Sequence, residues 1–112
     1  MSIAGDLIRG HTDAIILARL LRGDSYGYEI NKTIATLSSG RFELKEATLY
    51  TAFKRLEEQG YIASYWGDSG AGARRRYYTI TALGRDASHR LNQEWLETKE
   101  IMDQLLKVGE EL

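Results

Sequence analysis

From residue 83 to 108, Leu83, Ala87, Leu91, Trp95, Thr98, Met102 and Leu105 recur at steps of three and four. That spacing puts them along one side of an α-helix. The chain contains no proline, so nothing in the span forces a break. A helix of about 26 residues would be about 39 Å long. The whole chain has only 112 residues, too few for the remainder to cover such a stripe. The stripe therefore calls for another surface, and a second copy of the chain is the simplest one. Leu7 and Ile8 would add apolar contacts there. A helix folded back over its own domain is the competing arrangement, and the helix is long for that role.

The preceding residues divide into short periodic segments. Residues 11–22 are apolar on more than one face, which suits a central core helix. Gly23 stops it, and Asp24 and Ser25 are placed to cap a second helix over 26–37. Phe42 and Leu44 alternate with charged neighbours, as in a short strand. Residues 46–59 form a third helix, with Leu49, Phe53 and Leu56 as its apolar stripe and Ala52 beside it. Residues 61–66 and 75–81 are rich in aromatic and β-branched residues and read as an antiparallel hairpin. The glycine-rich connection over 67–73 is long for a hairpin, so its tip should be mobile.

This order predicts a mostly α fold with a small β-hairpin. It is a winged helix-turn-helix with a long C-terminal dimerisation helix. The expected division is a DNA-binding domain over 1–81 and the dimerisation helix over 82–112. Net charge is −1. It separates into 11 Lys/Arg against 9 Asp/Glu over 1–81, and 4 against 7 over 82–112. Any basic surface is therefore local, and Arg74, Arg75 and Arg76 form the densest cluster.

The third helix occupies the recognition position. Opposite its apolar stripe stand Thr48, Tyr50, Thr51, Lys54 and Arg55. Hydroxyls and cations are the groups that bond phosphate oxygens and base edges in a major groove. Glu57 and Glu58 would repel DNA, but they fall at the C-terminal end, away from the half that normally enters the groove. An ordinary solvated face is the alternative for an isolated helix; the wing that follows favours DNA.

GRFELKEATLYTAFKRLEEQGYIASYWGD followed by RRRYYTIT resembles the PadR family of bacterial transcriptional regulators. GHTDAIILARLLRGDSYGYEI resembles that family's first two DNA-domain helices, so the likeness runs from about residue 7 to 84. Thr51 stands where many members have proline. With SYWGD and Trp95, this looks most like the small LmrR-type multidrug-sensing branch. The resemblance implies a homodimeric repressor on a palindromic operator, its recognition helices in major grooves about one turn, ~34–36 Å, apart. It maps Thr48, Tyr50, Thr51, Lys54 and Arg55 to the recognition helix, and Arg74 and Arg75 to the wing. Tyr50 and Lys54 would meet phosphates, and Thr48 and Thr51 would lie nearest the bases. It also implies a hydrophobic pore at the dimer interface, where Trp95 and its symmetry mate would stack a planar, often cationic, aromatic drug. Ala14, Leu91, Trp95 and Lys99 would line it. The sequence departs from that pattern at Asn92, in place of an aromatic, and at Lys99-Glu100, in place of an acidic-then-basic pair.

Other chemistries find little support. There is no cysteine, so disulfides and thiolate metal sites are excluded. Asp86 and His89 share a helix face, but no third metal ligand accompanies them. Gly70-Ala71-Gly72 lacks the lysine and following helix of a phosphate loop. No enzymatic activity, cofactor or metal is expected. The first residues lack the pattern of a secretory signal and no apolar run is long enough to span a membrane, so a cytoplasmic location is expected. The rival function is a winged-helix protein–protein module whose arginines meet an acidic partner.

Overall fold

The computed structural model describes residues 3–68 and 74–107. The expected freedom of the wing tip at Gly70 and Gly72 lies outside the described residues, as does Val108, where the sequence spacing expected the last helix to end. Five helices and a three-stranded sheet are described: α1 (Ile3–Arg9), α2 (Thr12–Leu20), β1 (Ser25–Tyr26), α3 (Gly27–Leu37), α4 (Glu46–Glu58), β2 (Ile62–Asp68), β3 (Arg74–Ile80) and α5 (Ala82–Leu105). The sheet order is β1-β3-β2, antiparallel throughout.

The core forms where the apolar faces of α2, α3 and α4 meet the inner face of the sheet. Ile16, Leu17 and Leu20 of α2, Ile30 of α3, and Phe53 and Leu56 of α4 are all buried. From the sheet, Ile62, Tyr78 and Ile80 close the core, as period-two alternation requires. Mostly helical, with a wing hairpin and a long last helix, this is the winged helix-turn-helix that the sequence order implies.

Three local expectations are corrected. The first helix of the sequence reading, over 11–22, is α2, and a shorter helix it did not include precedes it: α1 ends at Arg9, and Thr12 Oγ1 donates to the Arg9 carbonyl at 2.7 Å where α2 begins. Asp24 and Ser25 do not cap α3. Ser25 and Tyr26 instead form β1 and pair with Tyr78 and Tyr77 of β3. The Ser25 hydroxyl donates to the Glu29 carboxylate at 2.5 Å, and Tyr26 begins α3 without a side-chain cap. The third strand of the sheet is thus β1, and 41–44 is not a strand. Phe42 and Leu44 are nonetheless buried, between exposed Arg41 and Glu43. Their backbone groups are satisfied by side chains in place of a neighbouring strand. Asn31 Nδ2 donates to the Leu44 carbonyl at 2.6 Å, and the Leu44 N–H donates to Asn31 Oδ1 at 2.8 Å. The Phe42 N–H likewise donates to Ser38 Oγ at 3.0 Å. Alternating burial was legible; what holds the backbone was not.

α5 leaves the core in a fixed direction. Thr81 Oγ1 accepts from the Gly84 N–H at 3.0 Å and donates to the Gly60 carbonyl at 2.7 Å, tying the start of α5 to the end of α4. Gly84 lies so close to the Tyr61 carbonyl that any Cβ there would collide with it. Ala87 and Ser88 are buried, Leu91 is half-buried, and every described residue from Asn92 onward is exposed.

Asn31 spans two segments that share no regular hydrogen bonding. Asn31→Ala would leave a part-buried backbone N–H and carbonyl of Leu44 without their partner, and should destabilise the fold by about 2 kcal/mol. Chemical denaturation of the two proteins measures this.

Candidate nucleic-acid interface

α4 buries Leu49, Ala52, Phe53 and Leu56 and turns its other side to solvent. Tyr50, Thr51 and Lys54 are exposed together on that open side. Tyr50 is 45% exposed, and its ring stands edge-on to Phe53 at 5.5 Å. Its hydroxyl reaches over the N-terminus of α3, where Gly27 makes room; a Cβ at Gly27 would come within 2.7 Å of it. Thr48 and Arg55 sit on the flank of α4 facing α2. Thr48 is half-buried, and Arg55 is hydrogen-bonded through two nitrogens to the Asp13 carboxylate of α2. That bond raises the pKa of the Arg55 guanidinium above its ordinary value. The structure thus brings Tyr50, Thr51 and Lys54 together and sets Thr48 and Arg55 apart from them.

The wing arginines divide in the same way. Residues directly opposite in the ladder share a face of the sheet. Arg74 and Arg76 therefore lie on the inner face with Asp68, Trp66, Ser64 and Tyr78, while Arg75 lies on the outer face with Gly67, Tyr65 and Tyr77. On the inner face the Arg74 and Arg76 guanidinium carbons lie 5.4 and 5.9 Å from the Trp66 ring centroid. Arg76 also donates to Ser64 Oγ at 2.9 Å and to Glu57 of α4 at 3.3 Å, and Ser64 donates to the same carboxylate at 2.9 Å. Glu57 is therefore spoken for by Arg76, and the repulsion its charge would bring to a phosphate surface is offset at source. Trp66, 55% exposed on this face, is the residue that sequence reasoning passed over. Its signal was there in the alternation that places it opposite Arg76.

On the outer face, Arg75 lies 4.5 Å above the Tyr26 ring of β1. Tyr77 meets Tyr26 edge-on at 5.4 Å and stacks on Tyr65 at 5.6 Å. The Tyr65 hydroxyl donates to the Asp24 carboxylate at 2.6 Å, fastening the far strand of the wing to the segment before β1.

The expected ligand residues separate too. Ala14, Leu91 and Trp95 line one mainly apolar cavity of about 570 Å³ between α2 and α5, together with Ile8, His11, Arg85 and His89. The His11 ring meets the Trp95 indole edge-on at 5.3 Å. Lys99 does not line this cavity. It lies one turn further along α5 and pairs with Asp103 at 3.2 Å, because residues four apart share a helix face. Among the described residues no group of three or more His, Cys, Asp or Glu is placed to hold a metal ion. No described helix is long and apolar enough to cross a membrane.

The model of the transcriptional regulator PadR-like family matches residues 16–90. An uncharacterized protein X from Lysinibacillus sphaericus is 48% identical over 101 residues, which cover 90% of this chain and 93% of that protein. A transcriptional regulator from Clostridium thermocellum superposes with a TM-score of 0.85 at 45% identity, covering 95% of this chain and 100% of the other. A PadR family transcription regulator from Clostridium difficile superposes with a TM-score of 0.75 at 39% identity, covering 87% of this chain and 99% of the other.

The outer-face bond gives a pH-sensitive readout. Hydrogen bonds from Tyr65 and then Thr79 hold the Asp24 carboxyl below its ordinary value, while the same bond, with burial second, raises the Tyr65 phenol. The Asp24 contribution to stability is present above the carboxyl's unfolded pKa of ~3.9 and is lost as pH falls through the lower folded value. In Tyr65→Phe, NMR titration of the Asp24 carboxyl carbon should show its pKa move up toward the ordinary value. An unmoved midpoint would mean that the bond does not form in solution.

Proposed function

This chain belongs to the PadR family of transcriptional regulators, and from that premise we propose that it is a homodimeric repressor on a palindromic promoter operator. The observation that carries the reading is the shared exposure of Tyr50, Thr51 and Lys54 on α4, beside a wing whose inner face carries Arg74. The N-terminal half of α4 enters a major groove in this reading, with Thr51 nearest the bases and Tyr50 and Lys54 on flanking phosphates. Thr48 approaches from the α2 flank. Arg55 reaches phosphate only by leaving Asp13, so it contributes less than Lys54. Arg74 is the principal wing cation, and Arg75 serves from the outer face.

Dimerisation is supported by what α5 leaves uncovered. Trp95, Leu96, Ile101, Met102 and Leu105 are exposed along α5, as are Leu106 just after it and Leu7 and Ile8 of α1. A second copy laid along α5 would cover this surface and space two copies of α4 for two half-sites. The cavity at Trp95 lies beside that stripe. In this reading a planar hydrophobic molecule bound there alters the α2–α5 packing and so the spacing of the two α4 helices.

Binding of the gene's own upstream duplex should fall steeply with salt, with a log–log slope of about −0.9 per phosphate contact. Lys54→Ala should reduce that slope by about one and weaken binding to all sequences alike. A salt-independent affinity, or none for that duplex, would favour the protein–protein module instead. For the ligand, Trp95→Ala in a Trp66→Phe background should leave a dimer by sedimentation. The parent Trp66→Phe protein should show emission quenched by a planar aromatic dye, with the dye's affinity lost in Trp95→Ala by dye anisotropy. Undiminished dye binding would place the ligand elsewhere.

A further inference from the structure

We infer that Trp66 is a positioning residue for DNA contact: its indole is a platform that holds the Arg74 guanidinium on the α4 side of the wing. The inference rests on the DNA-binding reading above. Trp66 stands directly opposite Arg76 in the ladder and diagonal to Arg74, so both arginines and the indole share one face of the sheet. Both guanidinium carbons lie within about 6 Å of the ring centroid, the range of cation–π attraction.

The two arginines differ in what holds their other side. Arg76 is bonded to Glu57 in the last turn of α4 and to Ser64, so it is fixed to the recognition helix. Trp66 packs beyond Arg76, and Arg74 beyond Trp66. A row of contacts thus runs from α4 through Arg76 and the indole to the arginine nearest the wing tip. Without it, Arg74 would be a long side chain on an exposed strand end, and binding phosphate would cost much of its rotamer freedom. Attraction to the face of an indole leaves the in-plane N–H donors of a guanidinium free for phosphate oxygens. The exposure of Trp66 then has a reason. The residue is not covered by the core because its ring works at the surface.

The test uses a short duplex of random sequence at low salt, since a phosphate contact does not depend on the operator. Trp66→Leu should weaken binding about two- to fivefold, the scale of an exposed cation–π contact. Trp66→Phe, which keeps an aromatic face, should recover most of that loss. Arg74→Gln should weaken binding and lower the salt slope by about one. The double variant Trp66→Leu/Arg74→Gln should bind no worse than Arg74→Gln alone, because the indole acts through the arginine. In a Trp95→Phe protein without DNA, Arg74→Gln should shift the emission of Trp66. Full additivity of the two losses, equal binding by Trp66→Leu and wild type, or unshifted emission would each overturn the role of Trp66. Failure of the wild type to bind the duplex would overturn the DNA-binding reading and this inference with it.

Discussion

The stacked pair of Phe53 and Tyr78 fixes how the recognition helix and the wing face one another. The rings lie 3.9 Å apart at 18°, and both residues are buried. Phe53 belongs to the buried stripe of α4, and Tyr78 lies on the inner face of β3 between β1 and β2. Burial pushes the Tyr78 phenol above its ordinary pKa, which keeps it neutral in the core. Once Tyr78 faces inward, the period of two dictates the rest of β3. Arg76 and Arg74 must share its face, and Arg75 must take the other. A slip of one residue would exchange these roles, leaving Arg75 beside α4 and Glu57 without its cation.

How far each pattern repeats decided which parts of the fold were legible in the sequence. The stripes of α4 and α5 were readable because each repeats over several turns, and β2 and β3 because aromatic and β-branched residues run together between glycines. β1 was not readable. Two residues have no periodicity, and Asp24-Ser25 before an apolar run is an equally good capping signal. Their fate is settled by the vacant edge of β3, a partner distant in sequence. Residues 41–44 fail in the opposite sense: their alternation is real, but their backbone pairs with side chains of α3 and the turn after it and not with a strand. Asn31 supplies the missing bonds, and a lone asparagine in a helix gives no sign of that task. α1 escaped notice because its Leu7 and Ile8 point away from the core of their own chain.

For the candidate site, the sequence singled out α4 and the wing but did not show how their side chains are grouped. Thr48 and Arg55 belong to the same exposed arc of a helical projection as Thr51. Only the position of α2, and of Asp13 upon it, removes Arg55 from the open face. Three consecutive arginines look equivalent in a sequence, yet each has a separate setting. Arg74 meets an indole, Arg75 a tyrosine of β1, and Arg76 a carboxylate of α4. Lys99 was grouped with Trp95 through the resemblance to a branch with a pore at the dimer interface. The cavity is shaped by a second helix, and α2 does not extend that far.

α5 draws these features into one argument about assembly. Its first turns are anchored by Thr81 and by the close approach of Gly84 to Tyr61, so its direction is set by the core. Beyond Leu91 its apolar residues are exposed, with Trp95 covered in part by His11. Exposing so many large side chains costs solubility, and a monomer with such a ridge would tend to associate. The angle at which α5 leaves the core is the same in every copy. Association along it would therefore place two copies of α4 at one reproducible separation, as recognition of paired half-sites requires. The cavity around Trp95 lies where α5 parts from α2, at the root of that lever. In the proposed dimer, a small change in packing there would shift α4 relative to its symmetry mate, so a molecule bound in the cavity would act on DNA without touching it.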